Sequence, residues 1–124
     1  MIRGLGCDVC DIARMQKIIE NPRFLERYFT AYERGYIASR AKSAQTAAGL
    51  FAAKEAFVKA LGSGFVGLGA GDIAIRHDEN GAPYYDLNEK TRAALQARGA
   101  ARALLSISHD GGVALAVAIL EEDA

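Results

Sequence analysis

The sequence predicts an α+β domain in which a mainly antiparallel sheet packs on one long central helix. The signals run strand, helices, hairpin, helix, hairpin, an order in which hairpins supply antiparallel pairs. The run Phe51-Ala-Ala-Lys-Glu-Ala-Phe-Val-Lys-Ala-Leu-Gly62 consists of good helix formers closed by a glycine stop. Apolar residues surround nearly its whole circumference, as in a buried helix. With 124 residues and 51% hydrophobic content, the chain suits a single domain over 1–124 that buries roughly two thirds of its unfolded surface. No repeat, linker or low-complexity segment divides it.

Taken in order, Ile2 to Val9 reads as a strand ending near Asp8, with Gly4 and Gly6 placed to admit a close backbone neighbour. Asp11 or a neighbour starts a short helix with Ile12, Met15, Ile18 and Ile19 on its apolar face, and Asn21-Pro22 stops it. Thr30 and Glu33 fit a capping box for a second helix from about Ala31 to Arg40, and Ser43 can start the central helix. Asp72–Arg76 and Tyr84–Leu87 flank a turn-rich link, which predicts a hairpin with Pro83 at its margin. Asn88 caps a helix that stops at Gly99, and Ala103–Ser108 and Val113–Leu120 read as strands joined through His109-Asp-Gly-Gly112.

The formal net charge is zero, so no global basic field marks a nucleic-acid binder, although Arg34, Arg40, Lys42 and Lys54 form an acid-free basic stretch. The opening residues lack the apolar run of a signal peptide, and no later run approaches the roughly 18 apolar residues of a membrane span; a cytoplasmic protein is expected. Cys7 and Cys10 form a lone CxxC, but their odd spacing on a strand sends them to opposite faces, which argues for structural cysteines. The two histidines, His77 and His109, have no close metal-ligand spacing. The glycine run from Gly62 contains a literal GxGxxG but follows a helix where a dinucleotide fingerprint follows a strand. It is either an amide cradle for a phosphate or a plain connection.

On the central helix Glu55 and Lys59, one turn apart, fall in a narrow gap between Phe51 and Ala52, while Lys54 stands more isolated. One reading is an ordinary i,i+4 bridge on a solvated stripe, worth about 0.3–0.5 kcal/mol. The other is a pair of charges held in a protected place for chemistry, since desolvating a carboxylate costs several kcal/mol unless a partner or metal compensates.

Gly4-Leu-Gly-Cys-Asp8-Val-Cys-Asp-Ile12, Phe51-Ala-Ala-Lys-Glu-Ala-Phe-Val-Lys59 and Ser106-Ile-Ser-His109, in that order and at those separations, resemble the holo-acyl-carrier-protein synthases, the small bacterial phosphopantetheinyl transferases. Arg23-Phe-Leu, Thr30 with Glu33, Gly62-Ser-Gly64 and Asn80-Gly-Ala-Pro83 extend the resemblance over nearly the full chain. It implies the 4'-phosphopantetheinyl transferase-like fold and transfer of phosphopantetheine from coenzyme A to a serine of apo acyl carrier protein in fatty acid biosynthesis. Adenosine 3',5'-bisphosphate leaves.

The resemblance further implies magnesium (or manganese) held by Asp8 and Glu55, with Lys59 on the phosphates, and such an ion needs only one or two carboxylates besides phosphates and water. Glu55, directly or through water, and His109 are both candidates for the general base. By the same resemblance Gly62, Ser63 and Gly64 match the coenzyme-binding loop and His109 joins them in cofactor binding, while Gly81 and Pro83 either border the nucleotide or are plain turn residues. Arg14 matches an acceptor-binding arginine, fitting the acidic helices of carrier proteins. A homotrimer with active sites between subunits is implied too. One departure is Leu50, where the family commonly has an arginine. The rival readings are a catalytically silent carrier-protein-binding module and a metal-dependent nucleotide hydrolase.

Overall fold

A computed structural model describes residues 1–62 and 67–123. Strand β1 (Ile2–Asp11) is followed by four helices, α1 (Ile12–Ile18), α2 (Pro22–Tyr28), α3 (Ala31–Ser39) and α4 (Ser43–Leu61). A 3-10 turn at Ala70–Asp72 leads into β2 (Ile73–His77) and β3 (Pro83–Leu87), and α5 (Glu89–Ala97), β4 (Arg102–Asp110) and β5 (Val113–Glu121) follow. Both sheets are antiparallel, one ordered β1-β5-β4 and the other the β2-β3 hairpin. The expected α+β class and antiparallel pairing are what the chain adopts.

Helix α4 lies across the inner face of the larger sheet. Along β5, Ala114, Ala116, Ala118 and Leu120 are buried, and Ala52, Ala56 and Ala60 of α4 are buried as well, so small side chains bring sheet and helix close. The approach is tightest at β1. A Cβ on Gly6 would run into the Ala56 carbonyl oxygen and one on Gly4 into that of Ala60, which is the physical reason for glycine at both positions. Cys7 is exposed and Cys10 buried, on opposite faces as alternation requires.

Three local expectations need correction. Strand β1 continues past Asp8 to Asp11, because its pairing with β5 runs unbroken from Asp8↔Ala116 to Asp11↔Val113. Asn21-Pro22 does not merely stop α1: the Asn21 side chain accepts the Arg23 amide and Pro22 occupies the first turn of α2, a helix the sequence reading lacked. His109 and Asp110 belong to β4, and the turn is confined to Gly111 and Gly112, with φ of 58° and 84°, as a two-residue hairpin loop requires.

A further correction concerns the charges of α4. Lys54, not Lys59, is the buried lysine: its side chain is 1% exposed and its Nζ lies 2.8 Å from Glu33 Oε1, itself fully buried. Lys54 also donates to the carbonyls of Ala70 (2.7 Å) and Ile73 (2.8 Å). The Ile75 amide donates to Glu33 Oε2 at 2.7 Å. Burial pushes the Lys54 ammonium below the ordinary lysine range, and Glu33 opposes that. This cluster ties α3, α4 and β2 together. Helical periodicity could not reveal it, because the counter-charge comes from another element.

Candidate active site

Alternation on β1 puts Gly4, Gly6 and Asp8 on the face that meets α4, so the close approach at the glycines carries the Asp8 carboxylate to the helix. There Lys59 Nζ lies 2.8 Å from Asp8 Oδ1 and donates also to the Cys7 carbonyl at 3.3 Å. The Asp8 side chain is 15% exposed and that of Lys59 56%, an ammonium anchored on one side and open to solvent on the other. The hydrogen bond and charge of Asp8 hold Lys59 above the ordinary lysine range, and Glu55 adds to the same field.

Glu55 and Lys59 do not pair with each other among the described ion pairs. Instead Glu55 Oε2 accepts a hydrogen bond from the Tyr28 hydroxyl at 2.5 Å. The bland i,i+4 bridge is thereby set aside, and a charged patch remains in which Asp8 and Glu55 both act on Tyr28 and on Lys59. Tyr28 escaped the sequence reading because it sits on the helix that reading lacked.

His109 lies elsewhere in the chain. Its Nε2 is 3.1 Å from the Gln45 side-chain nitrogen, in a groove of about 280 Å³ that Gly81, Pro83, Arg40 and His77 also line. Tyr36 stacks on His77 with ring centroids 3.8 Å apart, and the Arg40 guanidinium stands 5.3 Å above the Tyr36 ring. Burial, then the Arg40 charge, push His77 below the ordinary histidine range. Gly81, with φ of 85°, sits at the link before β3. Leu50 borders the groove but is buried, so its side chain belongs to the core.

Thus Asp8, Glu55 and Lys59 are brought together, and His109, Gly81 and Pro83 form a second group. Gln45, which holds His109, is ten residues up α4 from Glu55, or about 15 Å along the axis. Gly62 ends α4 with φ of 88°, while Ser63 and Gly64 lie outside the described residues. Arg14 is exposed on α1, where the Asp11 carboxylate caps its backbone amide.

The donor chemistry fits a hard divalent cation. Two carboxylates face one patch, and among the described residues no group of three or more His, Cys, Asp or Glu gathers. That is the donor set of a magnesium ion completed by substrate phosphates and water.

Residues 4–118 match the family model described as the 4'-phosphopantetheinyl transferase superfamily. The chain is 41% identical over 122 residues to the holo-[acyl-carrier-protein] synthase of Treponema denticola, covering 98% of this chain and 99% of the relative. It is 44% identical over 122 residues to that of Clostridium botulinum, covering 98% of each. Among solved structures, the holo-[acyl-carrier-protein] synthase of Neisseria meningitidis superposes with a TM-score of 0.87 at 31% identity, over 98% of this chain and 100% of the other. That of Bacillus anthracis in complex with CoA (3',5'-ADP) gives 0.80 at 32% identity, over 99% of each chain.

Proposed function

The chain belongs to the 4'-phosphopantetheinyl transferase superfamily, and from that premise we propose that it is a holo-[acyl-carrier-protein] synthase, transferring 4'-phosphopantetheine from coenzyme A to a serine of apo acyl carrier protein in fatty acid biosynthesis. The observation that carries the reading is the convergence of Asp8, Glu55 and Lys59, which a silent binding module has no use for.

In the transfer, the serine oxygen forms a bond to the phosphorus that bears the pantetheine. The bond from that phosphorus to the bridging oxygen breaks, and its electrons leave with adenosine 3',5'-bisphosphate. The work of such a site is placement and charge compensation. Lys59 presents its open side to the diphosphate and draws the developing negative charge, while Asp8 fixes its other side. Asp8 and Glu55 would hold the magnesium, which when bound offsets charge on the phosphoryl oxygens. The serine proton goes to Glu55 or to His109, the two basic groups assigned to the site. Arg14, exposed on α1, steers an acidic acceptor helix.

The site is further proposed to lie between copies of the chain in a homotrimer. Two features support this. His109 and its groove are far along α4 from Glu55, so one chain holds two partial sites. On the sheet face turned away from α4, Leu5 is 67% and Val9 54% exposed, an apolar surface suited to burial against another copy. The proposed location is the cytoplasm, where coenzyme A and the carrier protein meet.

Mass spectrometry of apo carrier protein incubated with this protein, coenzyme A and magnesium tests the reading. The expected result is a carrier heavier by one phosphopantetheine group. An unmodified carrier, with the protein folded and magnesium saturating, contradicts it.

A further inference from the structure

The transfer scheme has no role for Tyr28, yet its hydroxyl is 2.5 Å from Glu55 Oε2, at the short end of charge-assisted O–H···O distances. The ring that carries this hydroxyl is clamped. It stacks on Phe24 at 5.3 Å with planes 7° apart and on Phe51 at 4.7 Å with planes 18° apart, and Phe29 meets its edge at 5.5 Å. Phe51 is one turn before Glu55 on α4, and Phe24 one turn before Tyr28 on α2. Stacking between the helices therefore delivers the hydroxyl to the carboxylate one turn further on. The hydroxyl is the donor of this bond and the carboxylate oxygen the acceptor.

A glutamate side chain has three rotatable bonds, and a ligand that must be ordered on binding loses affinity to that ordering. We propose that Tyr28 is a positioning residue that immobilises Glu55 through Oε2 and leaves Oε1 for a divalent cation, so that the cation affinity of the site depends on the Tyr28 hydroxyl. No partner of Glu55 Oε1 is found among the described residues. The proposal rests on the reading of Glu55 as a cation ligand given above. Groups that orient a metal ligand typically contribute about 10–100-fold in affinity.

The probe is Mn²⁺, titrated against the full-length protein with coenzyme A present and followed by electron paramagnetic resonance of the free ion. Tyr28→Phe keeps the ring stack and removes only the hydroxyl. Its Mn²⁺ dissociation constant is expected to rise by about 10-fold or more, with little change in melting temperature. Tyr28→Leu, which also loses the stack, should raise the constant at least as much while melting lower. In the Glu55→Gln background, Tyr28→Phe should shift the constant less than about twofold, because the group it positions is gone.

An unchanged constant in Tyr28→Phe, with the wild type binding more tightly than Glu55→Gln, overturns the role of Tyr28 and leaves that of Glu55 standing. So does a Tyr28→Phe constant that is unchanged while Tyr28→Leu loses affinity, the pattern of a merely structural ring. A wild type that binds Mn²⁺ no better than Glu55→Gln removes the premise and the proposal together. The mass-spectrometric transfer assay reports separately on whether the protein is a synthase.

Discussion

Glu55→Gln is expected to lower the rate of phosphopantetheine transfer by about 100-fold or more, equivalent to about 2.7 kcal/mol or more in the barrier. The substitution keeps size and helix propensity, and an amide oxygen can still accept the Tyr28 hydroxyl bond, so α4 and its contacts should persist. What is lost is the negative charge required of a cation ligand or a base. Melting without magnesium should be unchanged or higher, because a neutral amide escapes the desolvation cost of a half-buried carboxylate. Steady-state transfer at saturating magnesium, with a thermal melt alongside, gives both numbers. Near-normal turnover would remove Glu55 from the site.

Lys54→Met is expected to do the reverse, unfolding the protein more easily through a side chain that is engaged by Glu33 and the carbonyls of Ala70 and Ile73. It leaves the Glu33 carboxylate at zero exposure with only backbone amides for compensation. Removing one partner of such a pair typically costs about 3–5 kcal/mol, a fall of roughly 10–20 °C in a domain of this size. Adding Glu33→Gln should recover part of the loss, since the uncompensated charge is then gone. Lys59→Met, on the same helix but exposed, should leave the melting temperature nearly unchanged while impairing transfer. Thermal denaturation of the four proteins checks the contrast, and equal losses from the two lysines would contradict it.

These two lysines also mark how far the sequence could be read. The helix from Ser43 to Leu61, its glycine stop and the Thr30–Glu33 capping box follow from local rules, and the structure has all three. The capping box concealed a second role, however. Glu33 uses one carboxylate oxygen on its own cap and reaches Ile75 with the other, a contact across 42 residues that no periodicity encodes. Without it Lys54 read as isolated and Lys59 as protected, and the structure reverses the two.

The candidate site was legible mainly through resemblance. Strand alternation predicts that Gly4, Gly6 and Asp8 share a face, and glycine predicts a close neighbour, but nothing local says that the neighbour is α4 near Lys59. Tyr28 was missed because Asn21-Pro22 is ambiguous: the same pair that ends one helix caps the next. The separation of His109 from Glu55 likewise has no sequence signal, since it depends on where β4 meets α4.

That separation leads to the most direct test. Glu55→Gln and His109→Ala chains, each impaired alone, are mixed, reassembled and purified as hybrids through two different tags, and transfer to apo carrier protein is followed by mass spectrometry. A site shared between neighbours in a closed ring of three leaves one intact site in every hybrid, so hybrids should regain about one third of wild-type turnover. Hybrids as inactive as their parents would contradict a site assembled from two chains.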